Sequence, residues 1–198
     1  MPRGAGRDND NVSGFPPPLA GASPGLRAAP PAGGTTRWYG QRVSTEHAGR
    51  PTLLVSACLL GTRCNHEAGH SFRAAVVALA GTHRLVPICP EACGGLSTPR
   101  PAAERDGERV VTVDGDDVTA EYERGARAAV ELAKAVGARR AVLKARSPSC
   151  GSEQVYDGSF TGTLRAGEGV TATALRAAGV EVVSEEGLSR GTAPADVV

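Results

Sequence analysis

Aromatic side chains are scarce in this sequence: its 198 residues include one Trp, three Tyr and three Phe. A broad base-stacking platform for single-stranded nucleic acid needs more rings than that. Neither sign of charge dominates, with 22 Lys and Arg against 21 Asp and Glu, so bulk attraction to nucleic acid or to an anionic membrane is not expected. No apolar run approaches the ~20 residues that cross a bilayer. The amino terminus lacks the apolar middle region of a secretory signal. These absences favour a cytoplasmic protein acting on a small molecule. The Walker pattern and the G-x-G-x-x-G fingerprint are missing too, and no tight C-x2-C pair marks a zinc knuckle.

What is present is thiol. Five cysteines make an odd count, and a reducing compartment keeps such thiols free. Metal binding or catalysis therefore explains them better than disulfides do. Three of them stand just after strand-like runs: Cys58 closes Leu53–Cys58, Cys89 closes Leu85–Cys89, and Cys150 follows the run Ala141–Lys144 through Ser147-Pro148-Ser149. In an open, mostly parallel sheet the carboxyl ends of the strands converge on one crevice. Spacing thus predicts that Cys58, Cys89 and Cys150 meet.

The rest of the chain sets that crevice in a fold. Residues 1–50 are rich in Pro, Gly, Ala and Arg and lack apolar periodicity, so a disordered extension is expected. From residue 51 to 186 buried-type strands alternate with helical patterns, which predicts a single Rossmann-like α/β domain with a mostly parallel sheet. Strands are expected at 52–57, 83–88, 141–144 and 180–183. A helix capped by Ser71 should run to Gly81, and Pro90–Pro101 should form a loop. An edge hairpin at 109–113 should turn at Asp114-Gly115. A long amphipathic helix should follow, with Val118, Tyr122, Ala126, Ala129, Ala133 and Val136 on its core face. A final helix should span 169–178, and residues 187–198 should be a frayed tail.

Soft thiolates select zinc, copper(I) or iron–sulfur clusters. Ligands this far apart suit a site assembled by tertiary structure rather than a ferredoxin-type run. A cubane held by three cysteines leaves one iron without a protein ligand, an open Lewis acid with a taste for substrate sulfur. The plain alternative is that these cysteines are small buried apolar residues. Glu91, two residues past Cys89, should face the same crevice and could move a proton; otherwise it is a loop carboxylate paired with Arg100. Ser147 and Ser149 could donate hydrogen bonds there, or serve only the turn. A zinc site of Cys64, His66 and His70 is a further option, and His83 reads as a satisfied surface residue. A rival function is a zinc- or thiol-based sensor without catalysis.

At these residues the sequence resembles a known family. The segments are Val55–Gly61 with Cys64, Cys89-Pro90-Glu91 with Gly94–Arg100, Leu143–Gly151, Tyr156–Phe160 and Gly167–Thr171. They resemble, in order, the motifs of a bacterial family long known only as a domain of unknown function, which includes the 2-thiouracil desulfurases. The resemblance spans about 52–183. It implies a [4Fe-4S] cluster on Cys58, Cys89 and Cys150, whose fourth iron takes the sulfur of a thiolated base or nucleoside while water replaces it on carbon. It also implies Glu91 as acid/base and Ser147 as its assistant. Two features depart from the pattern: Cys93 stands before the Gly-Gly pair where an aliphatic residue is usual, and Asn65-His66-Glu67-Ala68-Gly69 replaces an Arg-Tyr-Asp-Gly type loop.

Overall fold

A computed structural model of the chain describes residues 49–189, together with Arg37–Trp38 (β1) and Gln41–Arg42 (β2). These two dipeptides pair antiparallel as a small hairpin in a unit of its own. Otherwise the extension expected to be disordered lies, up to residue 48, outside the described residues, as do residues 190–198.

In the main unit the elements are β3 (Thr52–Ser56), α1 (Ala74–Ala78), β4 (Arg84–Ile88), α2 (Pro90–Cys93), β5 (Ala103–Asp106), β6 (Arg109–Thr112), α3 (Thr119–Val136), β7 (Arg140–Leu143), β8 (Gln154–Tyr156), β9 (Leu164–Ala166), α4 (Val170–Ala177), β10 (Glu181–Ser184) and α5 (Glu185–Ser189). Four strands form one parallel sheet in the order β10-β7-β3-β4. It is the mixed α/β class with a parallel sheet that the sequence predicts. The strands read as nearly unbroken apolar runs because both faces are covered. Leu54, Ala141, Leu143 and Val182 pack on one face against Ala129 and Ala133 of α3 and Ala172 and Leu175 of α4. Leu53, Val55 and Val142 pack on the other against Val76 of α1 and Leu188 of α5.

The chain leaves β3 for β4 on one side of the sheet, then crosses to β7 and β10 on the other. Strand order therefore reverses between β3 and β7, and a crevice opens at their carboxyl ends. The remaining strands form two antiparallel hairpins, β5-β6 and β8-β9.

Several local expectations are corrected. Ser71 does not cap a helix. Its amide donates to the Cys58 carbonyl at 2.9 Å, and α1 begins at Ala74 behind Arg73. The Pro90–Pro101 segment is not all loop, since Pro90 sits at the first position of the one-turn α2, where its missing N–H is harmless. The edge hairpin turns at Gly107-Glu108, with Asp106 opposite Arg109. Gly107 supplies a φ of 60° there, while the turn at Gly115 instead leads from β6 toward α3. The tail expected to fray from residue 187 is helical at its start: Ser184 Oγ accepts the Glu186 amide at 3.2 Å, and α5 runs on to Ser189.

Two glycines let α2 and α3 touch backbone to backbone. A Cβ on Gly94 would lie 2.0 Å from the Glu121 carbonyl oxygen, and one on Gly125 would lie 2.0 Å from the Pro90 carbonyl oxygen. This contact seats α2, and with it Cys89 and Glu91, on the long helix.

Candidate active site

At the carboxyl ends of β7, β3 and β4 lies a cavity of about 420 Å³ lined by Cys58, Cys64, Cys89, Cys150, Glu91 and Ser147, among others. Each strand-end thiol arrives by a different local device. Cys58 sits in a 3-10 turn, Ala57–Leu60, that ends on left-handed Gly61 (φ 96°). Cys89 is the extended residue before α2. Cys150 lies in a loop shaped by Ser147, whose Oγ accepts the Ser149 and Cys150 amides, both at 3.1 Å. The same loop is pinned to α4 by a buried Ser149–Thr171 hydroxyl pair at 2.9 Å. Gly169 permits that approach, because a Cβ there would lie 2.3 Å from the Ser149 carbonyl oxygen.

Cys64 is buried in the same cavity wall. Its carbonyl accepts the Cys89 thiol at 3.6 Å. The loop after it is closed by Asn65, whose Oδ1 accepts the Gly69 amide at 2.6 Å and the Glu67 amide at 3.2 Å. Cys93 does not line the cavity and is exposed.

Glu91 does pair with Arg100, but inside the cavity. Arg100 Nε and Nη2 donate to Oε2 at 2.8 and 2.5 Å. Ser147 Oγ donates to the other oxygen, Oε1, at 3.4 Å, and the buried Tyr122 lines the cavity near the carboxylate. Burial works against the Arg100 charge, yet Glu91 beside it outweighs that and holds its pKa above the usual value. Burial, reinforced by Glu91, likewise keeps Tyr122 a neutral phenol.

A second ion pair borders the site. Lys144 Nζ lies 3.2 Å from Glu185 Oε1, and the Glu185 side chain has no exposure to solvent. Glu185 Oε2 accepts the Ala145 amide at 2.6 Å, so this carboxylate ties the segment after β7 to α5. The sequence reading placed Tyr122 on a core face and Lys144 at a strand end without giving either a place in the site. What marks them is contact across the fold, which no local pattern carries.

The donor set can be judged by its protonation. Burial, with Cys89 next in effect, pushes the Cys58 thiol up to about 11, and Lys144 opposes this. Burial pushes Cys150 up to about 12 despite a hydrogen bond from Ser56, with Glu91, Cys58 and Cys89 adding to the rise. Cys64 rises to about 12 through burial and then through Cys89. Cys58, Cys64 and Cys150 thus sit within electrostatic reach of one another and of Cys89, and these three would not ionise here without a strong positive partner. Soft thiolates packed this way fit a polynuclear metal group that releases their protons on binding.

A single ion fits less well. Among the described residues, no three His, Cys, Asp or Glu side chains close on one point at metal-ligand distance. A cluster spreads its ligands over separate irons, so its thiols stand farther apart. The zinc site considered for Cys64, His66 and His70 is not assembled. His70 Nδ1 accepts the Phe72 amide at 3.4 Å, and His66 is turned toward Glu67. His83 is buried rather than at the surface, satisfied by the Thr82 hydroxyl at 2.8 Å.

Comparison with known proteins decides the family. Residues 53–187 match the family model described as 2-thiouracil desulfurase. The chain belongs to the 2-thiouracil desulfurase family. Within it, the chain is 40% identical over 147 residues to the uncharacterised protein YbbK of Bacillus subtilis (strain 168), covering 69% of this chain and 97% of that one. It is also similar to the solved structure of a [4Fe-4S]-dependent thiouracil desulfidase, TudS. The identity is 47% and the TM-score 0.67, over 71% of this chain and 95% of the other. The family resemblance drawn from the motifs is borne out, and with it an enzyme of the thiouracil desulfurase kind.

Proposed function

We propose that this protein removes sulfur from a thiolated nucleobase or a related small thioamide in a reaction that is non-redox overall. Thiocarbonyl and water become carbonyl and hydrogen sulfide, with no electrons added or removed. We assign Cys58, Cys89 and Cys150 as the ligands of a [4Fe-4S] cluster. When bound, the cluster would supply an iron without a protein ligand, a Lewis acid suited to the substrate's sulfur. Glu91 takes a proton from the attacking water and returns one to the departing sulfur. Ser147, donating to Oε1, orients that carboxylate. Tyr122 stays a neutral phenol near that carboxylate. A reducing compartment suits the five free thiols.

The observation that carries the reading is one cavity that holds three strand-end thiols beside a carboxylate and a hydroxyl within 3.4 Å of each other. It draws support from the family and from the dependence named for the similar desulfidase. Anaerobic reconstitution with iron and sulfide, followed by metal analysis and a screen of thiolated bases, tests it. Equal iron and sulfide with release of sulfide from 2-thiouracil or a relative is the expected result. Protein with all five cysteines reduced that takes up no iron, or holds zinc without sulfide, refutes it.

A further inference from the structure

We propose that Arg100 is a positioning residue for the reaction, fixing the Glu91 carboxylate by one oxygen so that the other is reserved for Ser147 and the substrate. The proposal rests on the assignment of Glu91 as the proton-handling group. Arginine has five N–H donors and no acceptor. Here all five find acceptors: Nε and one Nη2 hydrogen go to Glu91 Oε2, the other Nη2 hydrogen to the Cys64 carbonyl at 3.1 Å, and the Nη1 hydrogens to the Ser97 carbonyl at 3.0 Å and Thr98 Oγ1 at 3.1 Å. A guanidinium held at every donor cannot swing, and neither can the oxygen it grips. The side chain is 5% exposed and that of Glu91 15%, so the pair is largely shielded from bulk solvent.

The mode of pairing is informative. An arginine–carboxylate bridge is frequently forked over both oxygens. This one spends two donors on Oε2 and leaves Oε1 to Ser147 Oγ, the group that also shapes the Cys150 loop. The backbone fits the same purpose: the Arg100 amide donates to the His66 carbonyl at 2.9 Å. Arg100 therefore joins the Cys64 loop, α2 and the Ser97–Thr98 segment through one planar group, and reaches the Ser147 loop only through Glu91. Lysine, with three donors at a single point, cannot reproduce that pattern.

The test uses reconstituted holoenzyme and the variants Arg100→Gln, Arg100→Lys, Glu91→Gln and Arg100→Gln/Glu91→Gln, each assayed for iron and sulfide content, substrate dissociation constant, kcat and KM. Glu91→Gln should lower kcat by about 10²-fold or more. Arg100→Gln should lower kcat by roughly 10- to 100-fold with KM and iron content unmoved, and Arg100→Lys should not restore it. In the Glu91→Gln background Arg100→Gln should cost nothing further, because it acts through that carboxylate. If Glu91→Gln keeps its kcat, the Glu91 assignment falls and this inference with it. If Glu91→Gln is impaired but Arg100→Gln is not, or if the two losses multiply, only the positioning role is overturned. Should Arg100→Gln fail to fold or load, Arg100→Lys carries the same cycle and the same two refuting outcomes.

Discussion

Replacing Gly125 by alanine sets two effects of opposite sign against each other. Gly125 lies inside α3, the 18-residue helix. In an exposed helix interior, alanine is favoured over glycine by about 1 kcal/mol. In this helix the added Cβ would lie 2.0 Å from the Pro90 carbonyl oxygen and 2.7 Å from its carbon, while ordinary contact begins at 3.4 Å. The two backbones are equally close at the neighbouring crossing point, where a Cβ on Gly94 would lie 2.0 Å from the Glu121 carbonyl oxygen. Separation by about an ångström or more is required, and overpacking on that scale costs about 3 kcal/mol.

The overlap therefore outweighs the propensity gain, leaving Gly125→Ala destabilised by about 2 kcal/mol. For a chain of this size that is a fall in Tm of roughly 6 °C. Pro90 lies between Cys89 and Glu91, so the displacement reaches both. A misplacement of about 1 Å at reacting groups costs up to ~10²-fold in rate. Thermal melts of the metal-free protein under reducing conditions give the stability, and iron content with desulfuration rate gives the rest. Gly81→Ala is the control, since its Cβ meets nothing within 4 Å and its melt should not fall. A Gly125→Ala protein that melts at or above the parent, loads iron fully and turns over normally would refute the close-packing account.

Two further outcomes follow from the thiols. Cys93→Ser should load iron like the parent, because that side chain is exposed and outside the cavity, whereas Cys58→Ser, Cys89→Ser and Cys150→Ser should each lower iron and sulfide on analysis. The metal-free protein should also lose stability as pH rises past the ordinary thiol value of 9.0. Cys58 and Cys150 hold their protons up to about 11 and about 12 in the folded chain, so unfolding above 9.0 releases protons and becomes easier. Below 9.0 this contribution is fully present and flat, and melts across that range would show the break.

The strands were legible because parallel strands buried on both faces leave unbroken apolar runs, as in Leu53–Val55 and Ala141–Leu143. The thiols at their ends were legible because that topology sends every carboxyl end to one side. The helix α2 was not: four residues are too few for a period, and Pro90 reads equally as loop or helix start. Nothing in the sequence marks Gly125 within α3, and only the approach of Pro90 shows why a side chain is excluded. Arg100 was legible as a partner for Glu91 but not as a residue of the cavity. The four acceptors of its five hydrogen bonds come from segments around residues 64, 91 and 97 that meet only in the folded chain.

The choice between Cys89 and Cys93 shows where spacing alone misleads. Four residues apart, they would stack on one face of a regular helix, and the Cys93 amide does bond the Cys89 carbonyl at 3.0 Å. Cys89, however, is not helical. Its φ of −114° and ψ of 100° are extended, so its side chain is directed by the strand it ends rather than by the helix it begins. It turns into the cavity, and its thiol reaches the Cys64 carbonyl, while Cys93 one turn later faces out. Pro90 enforces the break, since a residue before proline is driven from the helical region toward extended backbone. The same proline thus ends β4, starts α2 and decides which of two neighbouring thiols enters the cavity.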